Sequence, residues 1–218
     1  MTDANTSATV ETLVARLDRL DSIDEIRQLA AKYCLALDMR DLDAMVSLFP
    51  DDVRVGRGLT GRKELRRWFD STLREQFDGT AHVTGNHIIE FDDPDHARGV
   101  VYSRNEHETG REWVIMTMMY WDRYERIDSR WYFRRRLPLY WYATALNQPP
   151  IGRRKMRWPG REPYDGGWEQ FWPSWSEFWD GAPDLEAEVA TPAPIDGFLT
   201  RLRRGAPEDL KRCEIAEG

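Results

Sequence analysis

One carboxylate and two histidines are the residues of this sequence best suited to acid–base chemistry. Asp38 follows the apolar run LAAKYCLAL, and an unpaired charge inside such a helix would be costly. Asp38 therefore either has a partner in the interior or lies at the helix end and faces water beside Arg40. His82 and His107 lie further along the chain. A histidine paired with a buried carboxylate can act as a general base, because the carboxylate fixes the tautomer and stabilises the imidazolium.

Polar side chains gather on one face of two segments that alternate like β-strands, residues 80–91 and 96–109. That face carries His82, Asn86, Ser103, Asn105 and His107. It is too polar for a dry core and too organised for a solvent face, so one interpretation is a polar-lined pocket. The other is that these residues are on the surface and that Val100 and Tyr102 point inward.

The sequence lacks the motifs of metal, nucleotide and nucleophilic-serine sites. The histidines and acidic residues show no tight spacing of metal ligands, and no glycine-rich nucleotide motif follows a strand. Ser103 has no nucleophile-elbow motif around it. Cys34 and Cys213 are far apart and support neither a disulfide framework nor a thiolate zinc site. We therefore expect a site without metal or cofactor.

Composition narrows the class of partner. The 218 residues include 38 acidic and 31 basic side chains, for a net charge of −7, which argues against a nucleic-acid-binding surface. The N-terminus lacks the pattern of a signal peptide, and the longest near-apolar run, residues 114–121, is too short to span a bilayer. We expect a cytoplasmic protein that binds a small molecule, with no nucleic-acid or membrane partner.

The first third of the chain must supply helices to position these residues. Residues 1–8 are small and polar, and we expect them to be disordered. A helix is predicted from Thr9, and the S-x-x-E capping box of Ser22 and Glu25 starts or restarts a longer one. Two shorter helices are predicted, one after Asp41 and one after Thr60.

The next part predicts a sheet. Four β-rich runs cover residues 80–91, 96–109, 111–127 and 130–142, and the breaks between them are short enough for hairpins. Short connections imply an antiparallel meander, with the helices on one face of a curved sheet. The predicted fold class is α+β, with one domain over residues 9–146. Residues 147–218, rich in Trp, Pro and Arg, form a C-terminal extension.

This order of elements resembles the SnoaL-like branch of the nuclear transport factor 2-like superfamily, whose domain is cone-shaped. The segments that carry the resemblance are YCLALDMRDLDAMVSLFPDDV, GRKELRRWF, TAHVTGNHIIEFDDPDHARGVVYSRNEHE and WDRYERIDSRWYFRRRLP. The branch includes scytalone dehydratase and the bile acid 7α-dehydratase, and many members of the superfamily are non-catalytic binding modules. We expect a homodimer or homotrimer.

The resemblance also implies roles for individual residues. Asp38 and His82 match the base dyad of the eliminating members, and His107 matches a second histidine of scytalone dehydratase. Tyr33 matches a tyrosine of the bile acid enzyme. Met118 and Tyr120 stand where scytalone dehydratase holds its substrate with Ser and Asn, and Leu37 replaces its water-binding Tyr. We therefore expect a different, more hydrophobic and aromatic substrate.

Three features outside the dyad have two interpretations each. Arg135 shares strand parity with Trp131 and Phe133, so it either holds an anionic substrate group or pairs in solvent. The cluster between Arg153 and Arg161 predicts a salt-bridge network rather than nucleic-acid binding. A helical stripe is either a hydrophobic latch, which we favour, or a lid over the cone mouth, and it consists of Trp168, Trp172, Trp175 and Trp179.

Together these features predict a cofactor-independent lyase that uses the Asp38 and His82 dyad. Tyr33 or His107 would assist departure of water, or of formaldehyde in a retro-aldol-like step. The substrate-binding residues would be Asn86, Ser103, Asn105, Met118, Tyr120 and Arg135. A proton-shuttling isomerase of the ketosteroid isomerase type and a non-catalytic binding module remain as alternatives.

Overall fold

The computed structural model describes residues 2–56, 58–166, 172–181, 186 and 197–201. Its helices are α1 (Thr2–Asp38), α2 (Leu42–Val46), α3 (Arg62–Gln76), α4 (Pro173–Asp180) and α5 (Phe198–Arg201). Its strands are β1 (Arg54–Gly56), β2 (Leu59–Thr60), β3 (Gly79–Phe91), β4 (His96–Thr109), β5 (Glu112–Ile127) and β6 (Arg130–Ala145). No described helix is long and apolar enough to cross a membrane.

The first helix is one continuous element. The predicted start at Thr9 and restart at Ser22 are wrong, since α1 runs without a break from Thr2 to Asp38. The segment contains neither glycine nor proline, so nothing in it interrupts the ladder of helical hydrogen bonds. Residues 2–8, predicted to be disordered, belong to this helix. Ser22 is buried, and it lies inside the helix rather than at its start.

The prediction of an α+β fold is confirmed. Strands β3, β4, β5 and β6 pair in sequence order as an antiparallel sheet. Asp128 and Ser129 both have positive φ in the two-residue turn between β5 and β6, a geometry that suits the twist of hairpin strands. Helices α1 and α3 pack on the concave face of the sheet and form the main core of the cone.

Two of the three register shifts in the sheet decide where predicted site residues point. The pairing of β3 with β4 shifts register between Thr84 and His87, and an extra residue in a strand reverses the alternation beyond it. The assignment of Asn86 to the pocket face is therefore wrong: Asn86 is exposed. His87 takes the inward place, and its Nε2 lies 3.0 Å from the hydroxyl oxygen of Tyr124.

The second bulge corrects the prediction for Arg135. The pairing of β5 with β6 shifts between Arg123 and Tyr124, so the parity that places Phe133 inside does not continue to Arg135. Arg135 is exposed, and its neighbour Arg136 enters the interior with a side chain that is 5% exposed. Sequence parity chose the right strand and the wrong arginine.

The described parts of the C-terminal extension pack against the sheet at two places. Trp172 stacks edge-on against Trp121 at 5.8 Å, in the apolar cluster on the convex face that also contains Leu199. This contact places Trp172 as a latch on the body of the domain; Trp168 of the same stripe lies outside the described residues. Met156 pairs with Ala143 at the end of β6 and is almost completely buried.

Candidate active site

Asp38 and His82 are in direct hydrogen-bond contact. Asp38 is the last residue of α1, and His82 lies near the start of β3. The Nδ1 atom of His82 is 2.6 Å from Oδ1 of Asp38, and the backbone N–H of His82 donates to Oδ2 at 2.8 Å. The two contacts fix the imidazole ring relative to the carboxylate. The His82 side chain is only 4% exposed, so the pair lies inside the cone.

Thr80 and Arg40 hold the carboxylate in place. The Thr80 hydroxyl donates to Oδ1 of Asp38 at 2.8 Å and accepts a hydrogen bond from Arg40 at 2.7 Å. Arg40 has a φ of 58°, and it also donates to the carbonyl of Leu37 at the end of α1. The left-handed turn thus brings a cation back over the helix end. Neither supporting residue was singled out from the sequence, because their contacts depend on how α1 meets β3.

The charge state of Asp38 follows from these contacts. Burial acts to raise the pKa of Asp38, but the hydrogen bonds from His82 and Thr80 outweigh it, and the pKa lies below its usual value. Asp38 is therefore a carboxylate at neutral pH and accepts the Nδ1 hydrogen of His82. The lone pair of the neutral ring is then on Nε2, which is the arrangement a general base requires.

His107 lies beside the pair in an aromatic enclosure. Its ring centroid is 5.8 Å from that of His82, 4.5 Å from that of Phe77 and 5.4 Å from that of Trp158. Burial, and repulsion from the His82 ring whenever that ring is protonated, lower its pKa to about 3. His107 is therefore neutral at physiological pH. Among the described residues its buried Nδ1 makes no hydrogen bond of normal geometry, although the backbone of Val114 is near enough to act on the pKa of the ring.

The structure brings most of the predicted binding residues to the same concave face. Ser103 donates to the Asn105 amide oxygen, and the Asn105 amide nitrogen lies 3.2 Å from the Met118 sulfur. Tyr33 and Tyr120 lie edge to face, with ring centroids 6.1 Å apart. These side chains are all buried, so the interpretation of the polar sheet face as surface is wrong. Asn86 and Arg135 are outside this group.

Arg136 is a site residue that the sequence did not reveal. Its guanidinium lies over the rings of Tyr120 and Tyr33, at 3.8 and 4.3 Å from their centroids. Its Nε is 3.4 Å from Oδ1 of Asp122, which is completely buried. Among the described residues, its guanidinium nitrogens have no hydrogen-bond partner. A buried cation with unused donors can hold an anionic or carbonyl oxygen.

Two segments border the site. Trp158 of the extension contacts His107, and the ring centroid of Phe77 lies 5.8 Å from that of the same indole. Between α1 and the bulge of β3 lies a cavity of about 280 Å³. Its lining residues are Arg27, Ala30, Thr84, Gly85, His87 and Val101.

Arg157, predicted to join a salt-bridge network, instead donates to the carbonyls of Pro149 and Ile151 and shapes the loop before Trp158.

Comparison with known proteins shows the family to which this chain belongs. A family model described as a SnoaL-like domain matches residues 18–137. The chain belongs to the SnoaL-like domain family. The match includes Asp38, His82, His107 and Arg136 and ends before the extension. Within the described residues of this SnoaL-like chain, no group of three or more His, Cys, Asp or Glu side chains could hold a metal ion.

Solved structures agree with the family match. A protein of Novosphingobium aromaticivorans, provisionally assigned as a scytalone dehydratase, is 22% identical, with a TM-score of 0.53 over 66% of this chain and 97% of its own. A type 2 hexachlorocyclohexane dehydrochlorinase is 24% identical, with a TM-score of 0.56 over 67% and 99%. The type 3 enzyme of Novosphingobium barchaimii is 22% identical, with a TM-score of 0.56 over 62% and 96%. These likenesses establish the SnoaL-like cone fold. No curated protein matches the chain.

The stability of this SnoaL-like domain should depend on pH through the buried His107. The pKa of His107 is about 3 in the folded chain and about 6.5 when unfolded. Between these values the unfolded chain binds one proton more, so stability falls as the pH falls. His107→Gln should reduce the slope of unfolding free energy against pH by about 1.4 kcal/mol per unit between about pH 6 and pH 4. Urea unfolding of both proteins checks this, and equal slopes would contradict it.

Proposed function

We propose that this chain is a cofactor-independent lyase that removes a small group from a hydrophobic, aromatic and hydroxylated small molecule. The observation that carries the proposal is the 2.6 Å contact between Asp38 and His82. It leaves Nε2 of a buried, oriented imidazole as a base. The fold by itself carries no activity, because one fold hosts many functions. The dehydrochlorinases among the structural relatives are named for an elimination, which is compatible with this chemistry.

The proposed step uses His82 as both base and acid. In a dehydration, Nε2 takes a proton from carbon, the electron pair forms the new double bond, and the carbon–oxygen bond breaks. The imidazolium, stabilised by Asp38, returns the proton to the departing hydroxide as water. In formaldehyde release, Nε2 takes the hydroxyl proton, the carbon–carbon bond breaks, and the proton returns to the carbon left behind. Both sequences conserve protons.

The other interior residues would bind rather than transfer protons. His107 stays neutral because its pKa is about 3. It would donate a hydrogen bond to a substrate hydroxyl or accept one from it. Burial raises the pKa of Tyr33, which keeps its proton in place as a donor. Arg136 replaces Arg135 as the residue proposed to hold an oxyanion. Tyr120 and Met118 would provide the apolar wall for an aromatic ring.

A proton-shuttling isomerase is the second candidate. The buried guanidinium of Arg136 beside Tyr33 could stabilise an enolate formed when His82 removes a proton next to a carbonyl group. An isomerase would return the proton to another carbon, and the product would have the mass of the substrate. A lyase product would be lighter by the mass of the group that leaves.

The test is turnover on a panel of aryl alcohols, diaryl diols, hydroxysteroids and enones. New conjugation is followed by absorbance, and product mass separates lyase from isomerase. Turnover that disappears in His82→Gln supports the dyad. If binding is detected by calorimetry but no panel compound is converted, the result favours a non-catalytic binding module.

Trp158→Ala should weaken substrate capture. The indole contacts His107, so its removal opens this side of the site to water and deletes an aromatic wall. We expect kcat/KM for an aromatic substrate to fall about tenfold, mainly through KM. Steady-state kinetics measure the effect. Trp172→Ala is the matched control, because Trp172 lies on the convex face, and an equal loss in both variants would contradict a specific role for Trp158.

A further inference from the structure

The outer half of α1 carries an apolar stripe. Every residue from Thr9 to Asp21 is exposed, so this part of the helix extends along the outside of the domain. Five large apolar side chains in it are between 52% and 61% exposed: Val10, Leu13, Val14, Leu17 and Leu20. Isolated apolar residues on a surface are ordinary, but a continuous stripe marks a surface that is covered in the working molecule.

The spacing of the stripe is that of a coiled-coil seam. Val10 and Leu17 occupy successive a positions of a heptad, and Leu13 and Leu20 occupy the d positions. Valine at the first a position and leucine at both d positions fit a parallel two-stranded pairing, whereas the second a position is a leucine, Leu17. Asp24 takes the next a position, where two copies would place like charges together. The seam therefore covers two heptads and ends there.

The opposite side of the helix binds the chain's own domain. Arg19 lies over the ring of Phe91 at 4.9 Å, and Asp18 forms an ion pair with Arg126 at 2.9 Å. Ile26, about two turns beyond Arg19, is completely buried. The helix thus presents its polar side and its later turns to the domain and directs the stripe away from it. A second helix can approach the stripe without meeting the sheet.

The charges beside the seam select the partner and its direction. Arg16 is at a g position, and Asp21 is at the e position five residues later. In a parallel pair, g of one helix meets the following e of the other, so each Arg16 would face the Asp21 of the other copy. An antiparallel pair would instead bring the two copies of Arg16 to the same side. The sequence is therefore complementary to itself in the parallel direction.

We propose that the chain forms a parallel homodimer through residues 10–21 of α1, with the two domains on the outer sides of the helix pair. This proposal is independent of the proposed enzymatic function. The helix does not need to nucleate on association, because its later turns are already held by the core. A seam of two heptads is small, so the dimer should dissociate on dilution.

Sedimentation velocity of the full chain over a wide concentration range tests the proposal. We expect a dimer at high concentration, and a monomer at the same concentration for Leu13→Glu with Leu17→Glu. Leu35→Glu is the matched control, since Leu35 is an exposed leucine of the same helix outside the seam. A wild type that stays monomeric, or a dimer that the double substitution leaves unchanged, overturns the proposal.

Charge reversal tests the direction. Arg16→Glu should raise the dissociation constant at least about tenfold, because two acidic side chains would then meet across the seam. Asp21→Arg alone should do the same. Combining both substitutions should restore the wild-type dissociation constant, since each pair is regenerated with its signs exchanged. Failure of the combination to restore association overturns the parallel arrangement.

Discussion

His82→Gln should lower kcat/KM by about a thousandfold while the protein stays folded. Glutamine keeps a polar side chain of similar length but has no basic nitrogen, so the proton cannot be taken from the substrate. The Nδ1 contact to Asp38 at 2.6 Å shows that the ring is held in one orientation. The measurement is steady-state kinetics on the panel compound with the highest turnover, with circular dichroism as the check on folding.

Asp38→Asn should lower kcat/KM by a similar factor, for a different reason. An amide cannot stabilise the imidazolium, and its NH₂ group can present a donor to Nδ1, which favours the tautomer with the hydrogen on Nε2. Because the base nitrogen would then be occupied, kcat should fall more than KM changes. The lowered pKa of Asp38 indicates that the native site favours the charged form, and this stabilisation is also lost.

A second pair of the same chemistry provides the control. His96 Nδ1 lies 2.9 Å from Asp93 at the turn between β3 and β4, and both side chains are about half exposed. His96→Gln with Asp93→Asn should leave kcat/KM unchanged, because this pair is outside the cone. If His82→Gln retains wild-type turnover, or if the His96 variant loses as much, the dyad does not carry the reaction.

Arg136→Met should lower the free energy of unfolding by about 3–5 kcal/mol. The substitution leaves Asp122 completely buried without its cation. Burial raises the pKa of Asp122, and Arg136 partly lowers it, so removing the arginine should raise this pKa further and make the variant less unstable at mildly acidic pH. Urea unfolding at two pH values measures both effects.

The double variant and a surface pair complete this test. Arg136→Met with Asp122→Asn should recover most of the loss, since no unpaired charge remains in the core. Arg134→Met removes an arginine of the same strand whose partner, Asp52, is largely exposed. It should change stability little, because solvent screens such a pair. Equal losses for Arg134→Met and Arg136→Met would contradict the assigned importance of burial.

The sequence predicts the dyad and the sheet for identifiable physical reasons. Asp38 is conspicuous because a charge follows an apolar helix, and strand alternation places His82 correctly because no bulge separates it from the start of β3. The four strands follow from long alternating runs and short turns. Beyond the bulges, alternation fails, and it therefore misassigned Asn86 and Arg135. A bulge has no distinctive amino-acid composition, so a prediction based on strict alternation of side chains does not detect it.

The extension was the other source of error. Trp158 lies inside the basic cluster between Arg153 and Arg161, yet it contacts His107, a residue more than fifty positions earlier. No local pattern encodes such a contact, since it depends on Met156 joining the end of β6. Thr80 and Arg40 were missed for a related reason, because their roles arise where two elements meet.

The bulge in β3 also divides the strand into two segments that pair with β4 in different registers. Before it, residues 80–84 pair with residues 103–107 of β4 and hold His82 against Asp38; after it, residues 87–91 pair with residues 97–101. Loss of the extra residue there would remove the bulge while Thr84 still pairs with Ser103 and His87 with Val101, so His87 and Ile89 keep their inward places and the buried Glu90 stays on the other face. This point of β3 can therefore lose a residue in evolution without disturbing either the acid–base pair or the interior side chains beyond the bulge.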